Sequence, residues 1–73
     1  MMSMNEQVGH RIKVRRVELR MTQQELAEKL SVGQSNLSHI ERGERDLSIS
    51  LLAEIAKALK CKPEDFFKWP QAA

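Results

Sequence analysis

The residues best suited to chemistry form one short polar segment near the middle of the 73-residue chain. It carries amides, hydroxyls and an imidazole, with no lysine or glutamate among them: Gln34, Ser35, Asn36, Ser38 and His39. Gln and Asn can pair bidentately with adenine, and Ser can donate or accept a hydrogen bond. A helix surface that is merely solvated would usually carry Lys and Glu. The segment is therefore our candidate for reading the edges of DNA bases.

Basic residues are concentrated in the first part of the chain. There are 12 Lys and Arg against 10 Asp and Glu, an excess too small to identify a nucleic-acid-binding protein by itself. The whole excess lies before residue 46, where one segment holds Arg11, Lys13, Arg15, Arg16 and Arg20. Arg11, Lys13 and Arg15 either contact phosphates or form a solvated helix face, and we take Arg11 and Arg15 as phosphate-contacting candidates.

The composition gives little support to other functional classes. Cys61 is the only cysteine, so we expect neither an internal disulfide nor a zinc-ligand set. No apolar run approaches the ~18 residues of a membrane span, and the basic-then-apolar order of a signal peptide is missing. No Ser/His/Asp set or glycine-rich phosphate loop is present. We expect a cytoplasmic protein that is not an enzyme, with no cofactor, metal, membrane contact or small-molecule effector.

The elements that position the polar segment are predicted to be five short helices, in one all-α domain. Apolar residues recur at helical spacing, and the sustained alternation typical of strands is missing. The first predicted helix runs from about Asn5 to Arg20, and the second follows its cap Thr22 and stops near Ser31. The third begins after Gly33 and ends at Gly43, the fourth runs from its cap Ser48 to about Leu59, and the fifth from Pro63 to about Lys68. The domain is expected to span residues 1–73, with a core over 8–67 and frayed ends at 1–4 and 70–73.

Capping residues mark the boundaries of the two central helices. Thr22 and Glu25 have the spacing of a capping box, and Gly43 suits the left-handed position after a helix. Two helices about three residues apart, the second short and polar on its outer face, form the geometry that places a helix in the DNA major groove. The sequence therefore predicts a helix-turn-helix.

Roughly Val8 to Phe67 resembles the lambdoid phage repressor and Cro superfamily, also called the XRE-type helix-turn-helix. The matching residues are Thr22-Gln23-Gln24-Glu25-Leu26-Ala27, Val32-Gly33-Gln34-Ser35, Ile40-Glu41-Arg42-Gly43 and Leu51-Leu52-Ala53-Glu54-Ile55-Ala56-Lys57-Ala58-Leu59. The resemblance implies a lambda-repressor-like domain that regulates transcription by binding double-stranded DNA. The third helix, about Gln34–Arg42, would enter the major groove of an inverted-repeat operator.

The resemblance also assigns roles to individual positions. Gln23 matches a glutamine that touches a phosphate and braces the first recognition-helix glutamine, here Gln34. Arg16 and Glu41 match an ion pair between the first and third helices. Arg42 and Arg45 lie where the chain leaves the recognition helix and passes the DNA backbone.

One departure concerns the turn between the two central helices. The family often has Gly where this chain has Ser31, and Ser or Thr where it has Gly33. Ser31 is therefore expected to take an unusual backbone conformation, unless the turn itself differs slightly. The loop from Arg42 to Leu47 and the ending Glu64-Asp65-Phe66-Phe67 also resemble restriction–modification controller proteins.

A homodimer is expected, because one module of this size buries too little surface for tight specific binding. Phe66 suits the core. The dimer surface is predicted around the C-terminal segment, with a contribution from the fourth helix: Ile49, Phe66, Phe67, Trp69 and Pro70.

Two alternatives use the same fold differently. The chain could be a protein-interaction module, such as an antitoxin or an anti-repressor partner, although the acidic outer residues that would favour this are missing from the third helix. It could also activate transcription by contacting polymerase through acidic residues such as Glu25 and Glu28. The sequence leaves repression and activation open.

Overall fold

In a computed structural model, which describes residues 1–68, the chain forms four α-helices and one 3-10 helix. They are α1 (Met4–Glu18), α2 (Gln23–Leu30), α3 (Gln34–Glu41), α4 (Ile49–Ala58) and the 3-10 helix Pro63–Phe67. No strand occurs among the described residues, so the predicted all-α class is confirmed. The fifth element is a single 3-10 segment and not an α-helix, which suits its five-residue length.

Side-chain caps begin three of the α-helices. Ser3 and Glu6 form a capping box, in which the Glu6 N–H donates to Ser3 Oγ at 3.1 Å and the Ser3 N–H donates to Glu6 Oε1 at 2.8 Å. Thr22 and Glu25 repeat the arrangement at 3.0 and 2.8 Å, and Ser48 caps α4. The backbone N–H of each cap residue lowers the pKa of the glutamate that accepts it. Ser3 and Met4, which were expected to fray, cap and begin α1 in this structure.

Each of the four α-helices ends with the same hydrogen-bond pattern. One or two residues after the last helical residue, the backbone is left-handed, with φ of 56° to 77°: Arg20, Ser31, Gly43 and Lys60. At the end of α2, the Ser31 N–H donates to Glu28 O at 3.2 Å and the next N–H, of Val32, donates to Ala27 O at 3.0 Å. These two bonds define a Schellman motif. The unusual conformation expected of Ser31 is present, and the turn into α3 keeps its form.

Apolar residues from all five elements meet in one core. Its members are Val8, Ile12, Leu26, Ala27, Leu37, Ile40, Ile55, Ala56, Leu59 and Phe66. The helix α3 packs against both α1 and α2, while α4 packs against α2 and the 3-10 helix. Within residues 1–68, none of the helices is both long and apolar enough to cross a membrane.

Gly9 allows α1 to approach the end of α3 closely. A Cβ atom on Gly9 would lie 2.4 Å from the carbonyl oxygen of Ile40 and 2.7 Å from that of Glu41. Both neighbours are backbone atoms, which cannot move aside without shifting α3. The glycine that weakens α1 locally is thus required for the contact between α1 and α3.

Candidate nucleic-acid interface

The outer face of α3 has a centre and two flanks. The inner side of α3 carries Leu37, Ile40 and Glu41, which are all buried. With 100° of rotation per residue, the side opposite these three carries a stripe of polar side chains at helical spacing. The stripe consists of Ser35, His39 and Arg42. Of the other predicted base-reading residues, Gln34 and Ser38 lie on one flank and Asn36 on the other.

The N-terminal end of α3 is open. Gln34 and Ser35 are exposed, and within residues 1–68 neither side chain makes a hydrogen bond. Gly33 provides no side-chain cap, and a Cβ atom placed on it would meet nothing within 4 Å. The first turn of α3 therefore has unoccupied polar side chains and free backbone N–H groups.

The C-terminal end of α3 is instead attached to α1. Arg16 Nε donates to Glu41 Oε2 at 2.7 Å, and Arg16 Nη2 donates to Glu41 Oε1 at 3.1 Å. Both residues are buried, at 9% and 6% exposed, and Arg16 Nη1 also donates to the carbonyl of Met21 at 2.8 Å. The structure thus brings together the ion pair that the family resemblance implied. It fixes the axis of α3 relative to α1.

Gln23 belongs to this network. Its Nε2 donates to Glu41 Oε1 at 3.0 Å, so the amide of Gln23 braces the end of α3. The implied bracing of Gln34 by Gln23 is not what this structure shows, because the amide is already engaged by the Glu41 carboxylate. Gln23 remains half-exposed at the first position of α2, where free N–H groups and the helix dipole favour a phosphate.

A shallow groove runs beside this network between α1 and the helix-turn-helix. Lys13 and His10 of α1 line it together with Gln23, Ser38 and Arg42. Lys13 is exposed and lies three residues before Arg16, so it shares the side of α1 that faces α3. Helical spacing from Arg16 could have identified Lys13 as the better phosphate candidate.

Arg11 and Arg15 lie elsewhere. Arg15 Nε donates to Leu59 O at 3.0 Å and its Nη2 to Lys60 O at 3.4 Å, so the guanidinium caps the C-terminus of α4. Arg11 lines the same groove as Arg15, beside the 3-10 helix, and is about 200° around α1 from Lys13. Four-residue spacing places both side chains on the side of α1 away from this groove. The structure therefore does not bring them to the candidate interface, and their phosphate contacts stay a prediction.

A second polar cluster lies where the chain leaves α3. His39 Nδ1 is 2.6 Å from Glu44 Oε1, and Arg42 Nε donates to Glu44 Oε2 at 3.2 Å. The hydrogen bond from His39, followed by that from Arg42, lowers the pKa of the Glu44 carboxyl. The sequence did not single out Glu44. Arg45 follows it as an exposed side chain, consistent with the predicted phosphate contact.

The predicted dimer residues divide into three groups. Ile49 and Phe67 are 88% and 47% exposed, so their side chains reach the surface. Phe66 is only 2% exposed and packs in the core, so its assignment to the dimer surface is wrong: burial against α1 and α4 leaves it no surface to offer. Trp69 and Pro70 lie outside the described residues.

Comparison with known proteins places this arrangement in a family. The helix-turn-helix family HTH_3 matches residues 12–66, and the chain belongs to it. It is 46% identical over 52 residues to the immunity repressor protein of Bacillus phage phi105, covering 71% of this chain and 36% of that repressor. It is 37% identical over 57 residues to an HTH-type transcriptional regulator of Archaeoglobus fulgidus, covering 78% of this chain and 80% of the relative. The chain thus spans about a third of the repressor but most of the archaeal regulator.

Solved structures show the same fold. The clp gene regulator ClgR from Corynebacterium glutamicum superposes with a TM-score of 0.87 at 32% identity, covering 90% of this chain and 70% of that one. The restriction–modification controller protein C.Esp1396I, as a tetramer with its natural 35-base-pair operator, superposes with a TM-score of 0.78 at 36% identity, covering 92% and 88%. The resemblance to both the phage repressors and the controller proteins is confirmed.

Proposed function

We propose that this chain is a sequence-specific transcriptional regulator that inserts α3 into the DNA major groove of an inverted-repeat operator, as a dimeric repressor or autoregulator. It would act in the cytoplasm, through binding alone and without enzymatic activity. This function agrees with the relatives, which are named as a repressor and as transcriptional regulators.

The observation that carries the proposal is the contrast between occupied and unoccupied groups on α3. A recognition helix enters the groove by its N-terminal end. That end carries the exposed Gln34 and Ser35, whose side chains make no hydrogen bond to any described residue. Glu41, at the other end, is committed to Arg16 and Gln23. The helix is thus held by one end and offers the other to a ligand.

Phosphate contacts are proposed beside this helix and after its C-terminal end. Gln23, Lys13 and Arg42 line the groove beside α3, and Arg45 follows as an exposed side chain in the loop after α3. Phosphate contacts fix register and orientation, whereas base contacts determine preference. Base reading is accordingly assigned to Gln34, Ser35 and His39.

Binding-site selection from random DNA tests the proposal, followed by titration of single-base operator changes. Gln34→Ala should relax the preference at one position of each half-site, since a good bidentate pair discriminates by about 1–3 kcal/mol. Gln24→Ala, an exposed glutamine of α2, is the matched control and should keep the parent profile. Arg45→Ala should weaken binding evenly and reduce the salt slope by about 1. If Gln34→Ala kept the full preference, α3 would not be the recognition helix.

Dimer formation is proposed from the exposed apolar side chains of Ile49 and Phe67. Dimers of this type meet half-sites about one helical turn, roughly 34 Å, apart. Ile49→Lys should shift the protein toward monomers in sedimentation and weaken operator binding. Val17→Lys, an exposed apolar residue of α1, is the control. Sedimentation of the parent as a monomer, both free and on a selected site, would contradict the dimer.

A further inference from the structure

Glu44 is held against His39 by both its backbone and its side chain. The Schellman motif at the end of α3 directs the Glu44 N–H to the carbonyl of His39 at 2.9 Å. Gly43, between them, has φ of +77°, and a Cβ atom there would lie 2.4 Å from Glu6 Cα. The turn is therefore restricted to glycine, and it returns the Glu44 side chain onto the last turn of α3.

The geometry of this contact determines where the His39 ring carries its proton. Nδ1 and Glu44 Oε1 are 2.6 Å apart, a distance at which a hydrogen atom must lie between a ring nitrogen and a carboxylate oxygen. Two lone pairs would repel each other at this separation. Nδ1 therefore donates to Glu44. The Arg42 guanidinium, 3.2 Å from Nδ1, directs its own N–H groups to the same carboxylate at 3.2 and 3.3 Å.

In the neutral ring this leaves Nε2 as a hydrogen-bond acceptor. Within residues 1–68 the structure records no hydrogen bond to Nε2. The His39 side chain is 34% exposed and lies on the central stripe of α3, four residues after Ser35. An acceptor is thus presented on the surface that the proposed function directs to the major groove.

We propose that Glu44 is a specificity-determining positioning residue, which fixes His39 in the Nδ1–H form so that Nε2 accepts a hydrogen bond from a base amino group. The inference rests on the proposed function. In the major groove, exocyclic amines are offered by cytosine N4 and adenine N6, whereas guanine O6 and thymine O4 are acceptors. His39 should therefore prefer cytosine or adenine at its position. Glu44 itself does not touch DNA.

The first experiment measures the tautomer in the free protein. Long-range ¹H–¹⁵N NMR distinguishes protonated from unprotonated ring nitrogens, at a pH where His39 is neutral. The parent should carry its proton on Nδ1, and Glu44→Ala should move it largely to Nε2, the form that an unrestrained histidine favours. Glu44→Gln is the conservative variant, because its carbonyl can still accept from Nδ1–H although the negative charge is lost. It should keep the parent tautomer.

The second experiment measures base preference with the same three proteins. Against single-base changes of a selected operator, Glu44→Ala should lose roughly tenfold discrimination between amine-bearing and carbonyl-bearing bases at one position of each half-site. Glu44→Gln should keep this discrimination while binding all sequences more tightly, since removal of a negative charge near the DNA backbone acts on every sequence alike. His39→Ala should lose the same preference as Glu44→Ala.

The outcomes separate this inference from the proposed function. A parent that selects an operator but carries the His39 proton on Nε2 would overturn only the role of Glu44. The role would also be overturned if Glu44→Ala kept either the parent tautomer or the parent preference. A parent that selects no DNA site would overturn the proposed function and its base-reading consequence. The tautomer measurement would still establish whether Glu44 positions the ring.

Discussion

The two ends of α3 differ in almost every physical respect. At the C-terminal end, Glu41 accepts three hydrogen bonds from Arg16 and Gln23, and α1 crosses at Gly9. At the N-terminal end, Gly33 has open space around it and Gln34 has no side-chain hydrogen bond within the described part of the chain. Stability and the proposed recognition of DNA therefore lie at opposite ends of one eight-residue helix. A change at the C-terminal end should alter the free energy of unfolding, and a change at the N-terminal end should alter DNA binding.

The largest expected effect is that of Glu41→Ala. It leaves the buried Arg16 guanidinium without its carboxylate, and removal of one partner of such a pair costs about 3–5 kcal/mol when burial is complete. Chemical denaturation should show this loss, and DNA binding should weaken for all sequences alike. Gln34→Ala should melt like the parent. Replacement of both partners, Arg16→Met with Glu41→Met, should recover part of the loss. Equal melting of Glu41→Ala and parent would remove the distinction between the two ends.

The next largest change in unfolding free energy is expected for Gly9→Ala. In an exposed helix this change stabilises by about 1 kcal/mol, but here the new methyl group meets two backbone carbonyls of α3. Overpacking of this kind costs about 1–3 kcal/mol, so the sign of the effect should be reversed. Thermal unfolding provides the measurement. A more stable Gly9→Ala protein would mean that α1 and α3 are not in close contact.

Ser31→Gly examines the turn that leads into the open end of α3. A non-glycine residue in the left-handed conformation is strained by about 1–2 kcal/mol, and glycine removes this strain at the cost of greater freedom in the unfolded chain. We expect a net gain of about 1 kcal/mol in unfolding free energy. Ser50→Gly, an exposed serine inside α4, is the control and should destabilise. A loss of stability in Ser31→Gly would contradict the left-handed turn.

The smallest expected effect is that of Gly33→Ser. The position has β-region backbone angles and no steric obstacle, so a serine hydroxyl can cap α3. Serine exceeds glycine as an N-cap by only a few tenths of a kcal/mol. Denaturation midpoints should rise slightly, with no change in slope. A clear decrease would show that the N-terminal end of α3 is more constrained than this structure indicates.

Much of the fold could be predicted from local sequence because its determinants are local. Capping by Thr22 with Glu25, and by Ser48, depends on residues within one turn of each other. The left-handed turn at Gly43 depends on a single residue type. The predicted bounds of the four α-helices accordingly lie close to the observed ones. The pairing of Arg16 with Glu41 spans 25 positions, and it was available only through resemblance to a family.

What the tertiary structure decided depends on which helix faces pack together. The basic side chains on α1 look alike in sequence, yet packing turns Lys13 toward the helix-turn-helix and Arg15 toward the end of α4. The same packing buries Phe66 while Phe67 reaches the surface, and it engages Gln23 with Glu41. The contact between Glu44 and His39 requires the turn at Gly43 to pack against Glu6, which lies 37 positions earlier in the chain. Composition and spacing could indicate candidate DNA-binding residues, but only the folded backbone determines which hydrogen-bonding atoms of each candidate are without a partner in the described part of the chain.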